Sequence, residues 1–157
     1  MRDSLLSVPD SINLEMRGPP VMLKPIADGR IDIDLADLKS PAEQWRRSIY
    51  MLSRRGYPYT LLDVFDQPRI ETTCNMRQVN AVALQSLTML NDKFVYQQSE
   101  KLAKIVSQGL TDVGKQIEQV SLHALARQPS DEELAACLLL YNDAITSEGK
   151  SAPQAPT

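Results

Sequence analysis

From Asn80 to Ser147 the chain repeats one pattern four times: a residue able to cap a helix, then apolar residues three and four positions apart. Asn80 precedes Val82, Leu84, Leu87 and Leu90. Asn91 and Asp92 precede Phe94, Val95, Leu102, Ile105 and Val106, with Gly109 placed to end that helix. Asp112 to Arg127 carries Val113, Ile117, Val120 and Ala124 on one face. Ser130-Asp131-Glu132-Glu133 is an S-x-x-E capping box ahead of Leu134, Cys137, Leu138, Tyr141 and Ile145. Such helices bury their stripes against one another, so the fold class is mainly α, with a C-terminal bundle of about four helices.

The first half is less regular. Asp3 to Val8 reads as a short helix ended by Pro9, and Gly18-Pro19-Pro20 as a turn or extended segment. Ile31, Ile33 and Leu35 alternate with Asp32, Asp34 and Ala36, the period of a short strand. Ser40 and Glu43 frame a helical turn over Pro41–Arg46, and Arg47–Arg54 reads as a second short strand. Tyr57-Pro58-Tyr59 breaks the chain, Leu61 to Phe65 forms one helical turn, and Ile70 to Val79 is a loop. The expected organisation is a single domain over 1–147: an irregular part, 1–79, with one or two short strands, then the bundle, 80–147. A Pro-, Ser- and Ala-rich tail at 148–157 is expected to be disordered.

Hydrophobic residues at 43% and charged residues at 24% are the balance of a globular domain. Aromatics at 5% leave the core to aliphatic residues and Met. A net charge of −3 argues against nucleic-acid binding. No apolar run approaches the roughly 18 residues that membrane insertion needs. The charge is unevenly placed. Arg46, Arg47, Arg54, Arg55, Arg69 and Arg77 face only Asp63, Asp66 and Glu71 between Trp45 and Arg77, so that window is net +3 and the remainder −6.

Most chemistries lack their residues. There is no C-x-x-C-H for haem, and His123 is the only histidine, set between Leu122 and Ala124. Cys74 and Cys137 with one histidine do not make a zinc set. Asp28, Asp32, Asp34 and Asp37 lack the glycine and terminal glutamate of a calcium loop and read as outward acids of an edge strand. Cys137, on the fourth helix's apolar stripe, reads as core. No nucleophile elbow, phosphate loop or dinucleotide glycine pattern occurs. The expectation is no catalytic residue, no metal and no cofactor.

What remains is the set Arg46, Arg47, Arg54, Arg55 and Arg77 around Tyr57 and Tyr59. Guanidinium groups clamp carboxylates or phosphates, and tyrosines stack on sugars. One reading is a contact for an anionic or saccharide ligand. The other ties the arginines to Asp63, Asp66 and Glu71, holding irregular loops together, and a loop-rich segment favours it.

The order and spacing of Arg47-Ser48-Ile49-Tyr50, Arg54-Arg55, Phe65-Asp66 with Pro68, Cys74 with Arg77, and Gln85 before Leu90-Asn91 resemble the C-terminal planctomycete-specific domain of unknown function catalogued as fifteen fifty-three. The resemblance runs from about Arg2 to Leu140. It departs at Leu84, where a proline is common, and at Gln78–Ala81, where a Ser/Thr cluster is common. It implies a piece of a larger exported protein, periplasmic or in the cell envelope, with upstream domains that often include a cytochrome-c-like one. It also implies that the first short helix continues from an upstream region, leaving Leu5 and Leu6 without their neighbours. The functional expectation is a non-catalytic accessory or interaction module. The alternatives are part of an enzyme acting on a saccharide or other polymer, and a structural cap completing an upstream helical domain.

Overall fold

The computed structural model describes residues 1–68 and 82–150, the last three by backbone alone. Its elements, in order, are α1 (Arg2–Ser7), β1 (Leu23–Pro25), β2 (Ile31–Ile33), α2 (Thr60–Val64), α3 (Ala83–Asn91), α4 (Lys93–Val106), α5 (Val113–Leu125) and α6 (Asp131–Lys150). Short 3-10 helices cover Pro41–Trp45 and Ser48–Tyr50. The architecture is mainly α with one small sheet. The chain packs as two compact units, one from Met1 to Lys101 and one from Leu102 onward. α3 and the first turns of α4 therefore belong with the N-terminal residues.

In the first unit β1 and β2 pair antiparallel, Leu23 opposite Ile33 and Pro25 opposite Ile31. The Asp28-Gly29 turn closes them, with Gly29 at φ +83°. Of the two expected strands, the first forms. Arg47–Arg54 does not become a strand. Ser48–Tyr50 coils into a 3-10 helix, and the residues around it make isolated parallel bridges, Asn13 with Arg46 and Val21 with Met51. The alternation of Ile49 and Met51 is misleading here, because Met51 is buried while Ile49 stands 77% exposed. The core is Val21, Met51, Tyr59 and Leu61, with Leu23, Ile33, Leu38, Leu62, Phe65 and Phe94 packed around it.

α1 is seated rather than bare. Leu6 is completely buried, and the Arg2 side chain is buried with it. The resemblance implies a helix end stripped of its neighbours; instead Arg2 and Asp3 bond Gln44, Arg46 and Ser48, and Arg2 lies over the Phe94 ring. α3 also departs from expectation. Val82, Leu84, Leu87 and Leu90 face solvent, Leu90 at 83% exposure. Gln85 turns inward, its amide donating to the Val64 carbonyl at 3.1 Å, so a polar tie fixes which side of α3 meets α2.

In the second unit the local signals hold. The Asp112 carboxylate accepts from the Gly114 N–H at 3.1 Å and starts α5. Ala126 ends it with φ +55°. Ser130 and Glu133 form the reciprocal capping box at 3.2 and 2.9 Å. α5 and α6 pack on each other. Leu134 and Leu138 are half-buried, but Cys137, Tyr141 and Ile145 are exposed. Cys137 is thus not a core residue. Two paired helices cover one line of side chains, not the full stripe that a bundle would cover. α6 continues to Lys150, past the expected end at Ser147. Cys74, Arg69, Glu71, Arg77, the loop expected at 70–79 and the Asn80 cap lie outside the described residues, as does the tail from 151.

Candidate functional site

The seven residues singled out in the sequence separate into two populations. Arg46 and Tyr59 are interior, 3% and 5% exposed. Arg47, Arg54, Arg55 and Tyr57 are at the surface. Arg77 lies outside the described residues.

Arg46 follows the 3-10 helix Pro41–Trp45, and its side chain crosses to the Gly18 turn. Its guanidinium donates to the carbonyls of Pro19, at 2.9 Å, and Arg17. It lies 4.0 Å from the centre of the Tyr50 ring. The partners are two main-chain oxygens and an aromatic face, not the acids of the 63–71 segment. A buried arginine so arranged satisfies carbonyls in a stretch that has no ladder to use them. Arg2, which nothing in the sequence marked, does the same for α1. It donates to the carbonyls of Arg46 at 2.8 Å and Gln44 at 2.6 Å, and lies 5.5 Å from the Phe94 ring centre. Asp3 accepts from the Ser48 N–H at 2.8 Å. Burial pulls the Arg2 pKa down, opposed by Tyr59 and Asp3. Burial, with Asp32 nearby, pushes the Tyr59 hydroxyl well up, against the pull of Arg2. Tyr59 is therefore a neutral core residue beside a buried guanidinium.

The aromatic contacts extend this framework. Trp45 and Phe94 have ring centres 6.2 Å apart, and Lys101 Nζ sits 4.1 Å from the Trp45 ring centre while bonding Ser11 Oγ at 3.2 Å. Phe94, Gln98 and Lys101 are one helical turn apart along α4, so that face of α4 docks on Trp45 and α1.

The exposed group is carried by a tight turn. The Tyr57 N–H donates to the Arg54 carbonyl at 3.2 Å, and Gly56 adopts φ +70°, which an L side chain rarely tolerates. Arg54, Arg55 and Tyr57 thus project from one turn, with Tyr57 38% exposed. Among the described residues, none of the Arg47, Arg54 and Arg55 side chains has a polar partner.

The acids with displaced pKa values are each held by one basic neighbour. Arg30 lowers Asp28, Lys24 lowers Asp34, and Arg127 lowers Glu133 to about 2. All three are surface ion pairs, but Arg30 also bonds the Asp92 carboxylate at 3.2 Å, and Arg30, Asp32, Tyr59 and Asp92 line one small cavity. An open cavity of about 330 Å3 is lined by Pro19, Val21, Leu38, Lys39, Glu43 and Arg46 among others. A second, of about 160 Å3, runs between α2 and α3 beneath Leu84 and Leu87. Among the described residues no group of three His, Cys, Asp or Glu side chains is placed to hold a metal ion. His123 Nδ1 lies 2.8 Å from the Gln119 carbonyl at the surface of α5. Among the described residues, no helix is long and apolar enough to cross a membrane.

No curated protein and no solved structure matches the chain. One family model does, over residues 1–141, a span that includes α1, the arginine turn and α3 to α5. The chain belongs to that family, described as PSD1: protein of unknown function (DUF1553).

Proposed function

We propose that this chain is a non-catalytic interaction module of a larger exported protein, and that its exposed arginines meet an anionic partner. The observation that carries the reading is the contrast between neighbours. Arg46 is consumed by main-chain carbonyls, whereas Arg47, Arg54 and Arg55 are exposed and, among the described residues, unpaired, with Arg54 and Arg55 on the turn that carries the half-exposed Tyr57. Unpaired guanidinium groups in an otherwise acidic chain favour carboxylate or phosphate groups on a partner. The setting, with upstream domains as neighbours in the parent protein, comes from the sequence resemblance. The enzyme reading has less support: the acidic and basic groups that share a cavity, Arg30, Asp32, Tyr59 and Asp92, enclose only about 20 Å3, far below the size of a substrate pocket. The structural-cap reading loses Leu6, which is buried within this chain, and keeps the exposed leucines of α3 and α6.

Amide NMR titration with citrate tests the proposal. Shifts at millimolar citrate should concentrate at residues 47–57 and disappear in an Arg54→Gln/Arg55→Gln double variant. Shifts centred elsewhere, or none, would remove the reading.

A further inference from the structure

The described arginines divide cleanly by what their side chains touch. Arg2, Arg30, Arg46 and Arg127 have polar partners. Arg17, Arg47, Arg54 and Arg55 are exposed and have none. Three of the unpaired four belong to the surface already described. The fourth, Arg17, is 37 positions before Arg54 in the chain, and the fold sets its segment beside 45–52, the stretch that leads into the Arg54 turn.

Segments 13–21 and 45–52 run parallel and side by side. The Asn13 N–H donates to the Trp45 carbonyl at 2.9 Å, the Val21 N–H to the Tyr50 carbonyl at 2.8 Å, and the Leu52 N–H to the Val21 carbonyl at 3.0 Å. Midway, Arg17 is gripped at both of its main-chain polar groups. Its N–H donates to the Tyr50 hydroxyl at 3.2 Å, and its carbonyl accepts from Arg46. The grip holds Arg17 at φ +71°, in the left-handed region that residues with a Cβ rarely occupy. Such a conformation persists only where surrounding contacts impose it, and it recurs at functional positions. The interior pair Arg46 and Tyr50 therefore fixes the backbone from which the exposed Arg17 side chain projects.

We infer that Arg17 is a further contact residue of the arginine surface, with Arg46 and Tyr50 as its positioning residues, and that the surface takes a linear polyuronate. The inference rests on the anion-contact reading above. Arg17 and Arg47 stand on two adjacent segments, and Arg54 and Arg55 on the turn that follows. A single small anion satisfies one or two guanidinium groups, whereas a polymer with regularly placed carboxylates meets several at once. A planar carboxylate matches the guanidinium fork, and a sugar ring offers a face to Tyr57. Nucleic acid is the poorer match. Its duplex, with a charge about every 1.7 Å, is a denser anion than a chain of net −3 with four free guanidinium groups among its described residues suits, and a single strand is the competitor to titrate against.

The test is calorimetric titration of the intact chain with an oligogalacturonate of about eight sugars, galacturonic acid, a neutral oligosaccharide of equal length and a single-stranded oligonucleotide. The oligogalacturonate should bind at least about tenfold more tightly than the monomer, in a salt-dependent way, and the neutral oligomer should not bind. Arg17→Gln should weaken oligogalacturonate binding about three- to tenfold. Tyr50→Phe, which removes only the hydroxyl gripping Arg17, should weaken it less, while Lys115→Gln should leave it unchanged. Trp45 fluorescence under urea verifies that each variant is folded. If Arg17→Gln binds like the parent while Arg54→Gln/Arg55→Gln does not, Arg17 is no contact and the anion reading alone survives. Tighter binding of the oligonucleotide overturns the polyuronate assignment. Absence of both oligogalacturonate binding and citrate shifts at 47–57 overturns both proposals together.

Discussion

In the N-terminal unit, Arg2 reaches carbonyls 42 and 44 positions away, and Arg46 one 27 away. In the C-terminal unit the ties are short: Ser130 with Glu133 three apart, Asp112 with Gly114 two apart, Arg127 with Glu133 six apart. One region is fastened across the fold by buried arginines on main-chain oxygens. The other is fastened along its own helices by surface caps. The difference lies in what each stretch of backbone lacks. Helices satisfy most of their own hydrogen bonds and need partners only at their ends. Outside the short β1–β2 pair, the irregular stretches between Val8 and Tyr59 have carbonyls with no ladder to join, and a guanidinium with five donors is the side chain best suited to serve them.

The largest break in this comparison should come from Arg2→Met. It keeps an apolar stem in the site but strands two carbonyls that Arg2 now serves, at about 1–3 kcal/mol each. The Trp45 fluorescence midpoint in urea, which reports the N-terminal unit through the only tryptophan, should fall by the equivalent of about 3–5 kcal/mol. Next come the adjacent arginines. Arg46→Met should cost about 2–3 kcal/mol by the same signal, through its two carbonyls and the Tyr50 face. Arg47→Ala should lie within about 0.5 kcal/mol of the parent, being exposed and unpaired. Equal effects at 46 and 47 would erase the division between framework and surface.

Smaller effects belong to the other unit. Ser130→Ala should destabilise α6 by about 1 kcal/mol in helix circular dichroism and leave the Trp45 transition in place. The pH dependence has a definite sign. Arg127 first, then the Ser130 N–H, lower the Glu133 carboxyl from 4.5 to about 2 in the folded chain. A depressed folded pKa contributes stability that is fully present above the unfolded value and is lost as pH falls through the folded one. α6 should therefore loosen between about pH 4.5 and 2, and Arg127→Gln should flatten that profile. A pH profile unchanged by Arg127→Gln would detach the capping box from its ion pair.

The same contrast of range explains what the sequence made legible. α5 and α6 announced themselves because a cap and its target lie within a few residues, and periodicity needs only a local window. α1, β2 and the helical turn at Thr60–Val64 were readable for the same reason. β1 was not, since Leu23–Pro25 is three residues ending in proline and becomes a strand only by pairing with β2. The apolar side of α3 misled, because Gln85 makes the inward tie to the Val64 carbonyl while Leu84 and Leu87 only line an open groove against α2 and Leu90 faces solvent. Among the site residues, the arginine cluster was visible as charge density. Its division was not: no spacing rule distinguishes Arg46 from Arg47 when the partners are carbonyls at residues 17 and 19. Arg17 and Arg2 were missed outright, because each is a lone arginine whose role is set by backbone far along the chain.

Amide hydrogen exchange tests the central claim, that buried arginine contacts hold α1 in the N-terminal unit. A free helix of six residues is far below the roughly 12–15 that persist in water, so any protection of α1 comes from its seat. The amides of Leu5, Leu6 and Val8 should be protected in the parent chain, and Arg2→Met should abolish that protection while the amides of α5 and α6 keep theirs. If those three amides exchange at the rate of an unstructured peptide in the parent chain, or remain as slow in Arg2→Met, Arg2 does not anchor the helix and the account fails.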